Sequence, residues 1–269
     1  DAGIDHESLS TRDAAARYPQ ISFDGVSWCI HETGAGYLLA RRACERVLAA
    51  YLAEGGEYRQ LHAVPGDVEH GELTGLRLSD GSILQGDQYI FACGPWLAQL
   101  FPQLRSLILP TRQDVFFFGT PANDSRFTEE SMPIWLDKSV PIFYGIPGNE
   151  YRGLKVACDT RGSVFDPTSG DRLPSNEAAK AARDYLELRF PALKGAPVVE
   201  ARVCQYENTP DQYLIIDRLP HAQNTVIVGG GSGHGFKHGP AVGERVTRMV
   251  LDNESLDRQF SLERFTAAR

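Results

Sequence analysis

Apolar positions recur at three- and four-residue steps between Leu38 and Leu52. Leu38, Leu39, Ala43, Val47, Leu48 and Leu52 follow helical spacing. The pattern predicts a helix from Tyr37 to Glu54, entered after Gly34 and Gly36 and stopped by Gly55-Gly56. Ser10-Thr11-Arg12-Asp13 ahead of three alanines predicts a short capped helix that ends before Pro19. A third helix is predicted over Asn176–Arg189, stopped by Pro191, and a fourth from Pro240 to about Asp252.

Shorter apolar runs predict strands. Three fall at Glu57–Leu61, Glu72–Leu78 and Ser82–Gln85, with Asp80-Gly81 as a hairpin turn. Gln88–Trp96 reads as a buried strand meeting a Gly-Pro turn and a short helix. From Leu107 to Val203 strands dominate, at Leu107–Phe118, Pro133–Leu136, Pro141–Ile146 and Gly153–Ala157. The aromatic run Val115–Phe118 is expected to line a sheet face. After Tyr206 an α/β style returns with Tyr213–Asp217 and Thr225–Val228. An α/β part interrupted by a β-rich part predicts a mixed α/β (α+β) protein of two interleaved domains. Residues 1–33 and 107–205 form one, and residues 34–106 and 206–269 the other.

One stretch departs from ordinary patterning. Val226-Ile-Val-Gly-Gly-Gly-Ser-Gly-His-Gly-Phe-Lys237 runs from a strand through a glycine-rich turn toward the last helix. Glycines allow close approach of backbone to a flat ligand, and a helix N-terminus offers unpaired N–H groups and a positive dipole end. The stretch therefore predicts a cofactor cradle with Lys237 beside it. A cation just ahead of a helix opposes the dipole, and that misfit favours a task for Lys237.

Composition narrows the class. The chain has 269 residues and a net charge of −8, and it lacks a basic stripe, which argues against nucleic-acid binding. It contains no run of 18 apolar residues, so no spanning helix is expected. Five cysteines (29, 44, 93, 158, 204) show no CxxC spacing, and the seven histidines show no ligand spacing, so no metal site is expected. A reducing, cytoplasmic setting fits that cysteine usage. The sequence opens at Asp1 without a signal-peptide pattern and reads as a fragment.

Several short motifs occur in a specific order. They are Arg112-Gln113, Tyr144-Gly-Ile-Pro147, Gly153-Leu-Lys155, Cys204-Gln-Tyr206, Asn208-Thr-Pro-Asp211, Ile215-Ile-Asp217 and Gly231-Ser-Gly-His-Gly-Phe-Lys237. With these the chain resembles the flavin-dependent amine oxidases of the D-amino-acid oxidase superfamily. The nearest branch is that of monomeric sarcosine oxidase and N-methyltryptophan oxidase. Such enzymes open with a βαβ unit whose Gly-x-Gly-x-x-Gly turn holds the FAD pyrophosphate. No such fingerprint is present in these residues, and by the resemblance about the first hundred residues of the family pattern are missing. The expected fold is an incomplete Rossmann-like FAD-binding domain (34–106 and 206–269) interleaved with a β-rich substrate domain (1–33 and 107–205).

The resemblance implies roles. Lys155 would assist oxygen at the flavin N5 side, with a strand-end surface lysine as the alternative. Lys237 would bind the substrate carboxylate. Cys204 would form a thioether to the flavin 8α carbon; its alternative is a free, small buried thiol. Tyr144 and Tyr206 would line the substrate pocket, or pack in the core. Gly94 is either a cofactor contact or a structural turn. Gly231, Gly233, His234, Gly235 and Phe236 would face the flavin, with His234 shaping the turn or donating a hydrogen bond. Asp159 stands where the sarcosine oxidase pattern has a histidine; either it changes the pocket charge, which puts sarcosine itself in doubt, or it is an ordinary loop aspartate.

The implied activity is oxidation of a secondary amine or amino acid. The substrate reduces FAD, the imine hydrolyses, and O2 becomes hydrogen peroxide. The implied partners are a small amine and O2, with no nucleic acid or membrane, in a monomer. Two alternatives stand beside it: a fragment or pseudo-enzyme without FAD that acts as a binding module, and an amine dehydrogenase with another electron acceptor.

Overall fold

Phe116, Phe118, Leu154 and Val156 project from neighbouring strands into one closed core, with Tyr185, Leu186 and Phe190 from a helix above them. That layer centres the first of two compact units in the computed structural model, which describes residues 3–255 and 257–266. The first unit comprises Asp1–Tyr37, Arg112–Ser163 and Asp171–Cys204. The second comprises Leu38–Thr111, Val164–Gly170 and Gln205–Arg269.

A five-stranded sheet organises the first unit. Its strand order is Trp135–Asp137, Phe143–Ile146, Leu154–Cys158, Leu109–Phe118 and Val198–Asn208. The antiparallel register sets Lys155 opposite Ile146 on one side and Phe117 on the other. Val115 to Phe118 are all buried, so both sheet faces are covered there, not the single face expected. Phe116 and Phe118 meet the helix layer, whereas Phe117 lies under the Arg152 guanidinium, 4.3 Å from the ring centroid.

The helix Asn176–Arg189 begins where Ser175 accepts the Ala178 N–H at 3.1 Å and ends at Phe190, before Pro191. Its buried Arg189 pairs with Asp137 at 2.8 Å and donates to the Ser22 and Asp24 carbonyls. Two strands without a strong apolar signal, His6–Leu9 and Cys29–Glu32, pair as a hairpin around the helix Thr11–Arg17.

The second unit is built on a three-stranded sheet. Ile215–Leu219 runs antiparallel to Ala222–Gly229, which runs parallel to Tyr89–Phe91. Its core holds Tyr89, Phe91, Leu97, Phe101, Leu104, Ile108, Ile215 and Ile227. The last helix, Gly239–Leu251, buries Val246 and Met249 against Ile216 and Val226. A smaller sheet contains the expected Asp80-Gly81 hairpin, with Asp80 accepting the Ser82 N–H at 2.9 Å.

Three expectations are corrected in this unit. Glu57–Leu61 forms no strand. Glu72–Leu78 splits at Thr74-Gly75, where the Gly75 carbonyl turns to accept the Gly66 N–H at 2.9 Å. The amphipathic helix forms over Ala40–Ala53, but none of its residues is buried and Val47 is 70% exposed. Among the described residues, no helix is long and apolar enough to cross a membrane.

Candidate functional site

Along the strand Leu154–Cys158, Leu154 and Val156 point into the core, so Lys155 points the other way. Its Nζ lies 4.8 Å from the Tyr144 ring centroid. Burial pushes the Lys155 ammonium below its ordinary pKa; the Cys204 side chain opposes that shift, and Arg152 and Arg202 add to it. Among the described residues, the charges that act on Lys155 include no carboxylate.

Glu200, Arg202 and Cys204 alternate along one edge strand and so share a side of it. Glu200 accepts from Arg152 Nε at 3.2 Å and Nη2 at 3.3 Å, and also from Arg202. Burial alone would raise its carboxyl; the two guanidinium groups outweigh that and hold it below the usual range. Cys204 is open to solvent. The protein around its thiol pushes the pKa up, while Lys155 and Arg202 pull it down. Asp159 is exposed just past the strand Leu154–Cys158, and its N–H donates to the Ile142 carbonyl at 2.8 Å. The first unit thus brings Lys155, Tyr144 and Cys204 together.

In the second unit the glycine-rich turn closes on itself. The Gly231 N–H donates to Glu207 Oε1 at 3.2 Å, and the Ser232 N–H donates to the Glu207 carbonyl at 3.1 Å. Ser232 is left-handed (φ 46°), held by its Oγ, which accepts the Thr209 N–H and donates to the Gly230 carbonyl. His234 donates from Nε2 to the Gln212 carbonyl at 3.0 Å, so it shapes the turn. The Tyr206 ring packs against Gly233, where an added Cβ would stand 2.4 Å from it. A Cβ on Gly235 would reach 2.9 Å from the Gly231 Cα. The turn's own packing therefore demands these glycines. Gly94 sits at φ 53° in the turn after Phe91, with open space where a side chain would project.

Beyond the turn, Phe236, Lys237 and His238 form a single exposed helical turn that leads into Gly239–Leu251. That long helix continues directly from this turn: the Gly239 N–H donates to the Phe236 carbonyl, and Pro240, which has no N–H, stands in its first turn. Tyr206, Gly231, Gly233, His234 and Gly235 are gathered here. Four site residues escaped the sequence reading: Arg152, Arg202, Glu207 and Ser232. The signal for Arg202 was the alternation Glu200-x-Arg202-x-Cys204; Glu207 stood in an otherwise uncharged run before Asn208-Thr209-Pro210. Among the described residues, no His, Cys, Asp or Glu group could hold a metal.

Comparison with known proteins adds to this geometry. The profile of the DAO family, described as FAD dependent oxidoreductase, matches residues 1–249. Peroxisomal sarcosine oxidase of Mus musculus is 32% identical over 257 residues, which are 93% of this chain and 65% of that protein. N-methyl-L-tryptophan oxidase of Escherichia coli O127:H6 is 27% identical, covering 98% of this chain and 69% of its own. Among solved structures, L-proline dehydrogenase from P. horikoshii superposes with a TM-score of 0.86 at 19% identity, over 99% of this chain and 70% of its own. The chain spans 65% of the length of the sarcosine oxidases it matches.

Proposed function

We propose that this chain, which belongs to the DAO family of FAD dependent oxidoreductases, carries the ring-facing and substrate-facing residues of an enzyme oxidising a secondary amine or amino acid. Its residues suit the ring end of FAD. The exposed Phe236-Lys237 pair at the start of Gly239–Leu251 offers one apolar face and one cation, beside the positive end of the helix dipole. The bound cofactor would take two electrons and hydrogen from the substrate C–H, and O2 would carry the electrons away as hydrogen peroxide.

The chain's own side chains supply positioning and charge. Lys237 holds a substrate carboxylate. Tyr144 and Tyr206 offer aromatic faces to the amine. Cys204 supplies the thiol for a covalent tether to the cofactor. Lys155 stabilises the anion that forms as O2 accepts electrons. The observation that carries this reading is the half-buried Lys155, over Tyr144, with no carboxylate among the charges that act on it. A neutralised lysine could not serve an incoming anion; an uncompensated one can.

The test is a two-step titration of the FAD-loaded full-length protein. N-methyl amino acids, added without air, should bleach the flavin absorbance, and readmitted air should restore it with release of peroxide. Failure of every amine and amino acid to bleach the flavin refutes the assignment. Bleaching that air does not reverse refutes the role of Lys155.

A further inference from the structure

Glu207 is a carboxyl beside the glycine-rich turn to which the proposed reaction gives no task. Two bonds run from it to consecutive residues of the turn: Oε1 accepts the Gly231 N–H, and its carbonyl accepts the Ser232 N–H. Its other oxygen, Oε2, is buried and has no hydrogen-bond partner. A Cβ built on Gly229 would stand 2.9 Å from Oε2 and 2.3 Å from Leu97 Cδ1, so that oxygen is walled in by backbone and an apolar side chain.

We propose that Glu207 is a positioning residue that fixes the glycine-rich turn from behind, through Oε1 on the Gly231 N–H with Oε2 shut away from any partner, and that ionisation of its carboxyl loosens the turn's hold on a flavin ring. A bare carboxylate oxygen in such surroundings bears the full cost of lost hydration, and a neutral acid bears far less. The titratable group facing it is Cys93, whose thiol is itself pushed up, first by burial and then by Glu207. Burial raises the Glu207 pKa, and the Gly231 and Gly230 N–H groups oppose that shift without cancelling it.

The sign follows from the raised folded value. The ordered turn is most stable below the ordinary glutamate pKa. It loses stability as pH climbs from that value to the folded one, because any state that exposes Glu207 gives up its proton first. Higher pH brings no further loss. The link to the turn stands on the contacts alone; the link to a flavin ring rests on the function proposed above.

The experiment compares full-length wild type, Glu207→Gln and Glu207→Ala across acidic to alkaline pH. Protection of the Gly231 and Ser232 amides from hydrogen exchange, corrected for intrinsic rates, reads the turn without any ligand. Fluorescence quenching of lumiflavin, an isoalloxazine without a phosphate tail, reads ring binding. Wild type should lose protection and affinity with rising pH. Glu207→Gln should keep the acidic wild-type values throughout. Glu207→Ala should stand about tenfold below the acidic wild-type values in both, at every pH. A Glu207→Gln profile that falls with pH like wild type, or a Glu207→Ala protein as protected at acidic pH as wild type, overturns the proposal. If lumiflavin binds none of the three proteins, the flavin reading fails, and amide protection still decides the role of Glu207.

Discussion

Replacing Gly233 by alanine should be costly for two separable reasons. Gly233 has φ 85°, in the left-handed region, and alanine there costs about 1–2 kcal/mol. Its Cβ would also stand 2.4, 2.6 and 2.7 Å from Cε2, Cζ and Cδ2 of Tyr206. No carbon tolerates such distances, so the ring must move, at about 1–3 kcal/mol for an overpacked site. The expected total is roughly 2–5 kcal/mol, or a fall in Tm of roughly 5–15 °C for a unit of this size. The assay is thermal unfolding of wild type, Gly233→Ala, Tyr206→Ala and the double variant. Removing the ring abolishes the clash but not the backbone strain. The two substitutions should therefore combine with less loss than their sum, by about the 1–3 kcal/mol of the steric part. Strict additivity, or an unchanged Tm for Gly233→Ala, would refute the claim that Tyr206 seats on this glycine.

Two further outcomes are expected. Arg189→Ala leaves the half-buried Asp137 without its partner at 2.8 Å and should destabilise by about 1–3 kcal/mol. Burial would raise the Asp137 carboxyl, but Ser139 and Arg189 outweigh it and hold it low, so stability present above the ordinary aspartate pKa should fade as pH drops through the folded value; Arg189→Ala should shrink that fade in a pH series of urea melts, with the Ser139 bonds keeping the remainder. Cys204→Ser should release FAD into the supernatant on acid precipitation, whereas wild type keeps the colour in the pellet; equal release from both excludes the thioether.

Much of this was legible in the residues, and the rest was hidden for definite reasons. The helix Asn176–Arg189 was read to both ends because Ser175 caps it and Pro191 stops it, both local effects. The strand under Lys155 was read because its apolar residues are bounded by Gly153. The edge strand Val198–Asn208 was missed because Glu200, Arg202 and Glu207 mask its alternation, and their bonds to other elements are long-range. The helix Ala40–Ala53 shows the opposite failure. Its periodicity was genuine, yet periodicity states only that an apolar face exists, and here none of its residues is buried. At the site, the spacing around Lys237 flagged the turn but credited its glycines to a ligand. Gly233 and Gly235 are required first by packing at the turn itself, which no one-dimensional pattern reveals.

The central claim is that Lys155 faces the place where O2 collects electrons. Lys155→Met keeps the length of the side chain and removes the charge. In stopped-flow measurements on the FAD-loaded full-length protein, reoxidation of the reduced flavin by O2 should slow by roughly 10²–10³-fold, while reduction by the amine changes only a few-fold. Reoxidation as fast as in wild type would contradict the account.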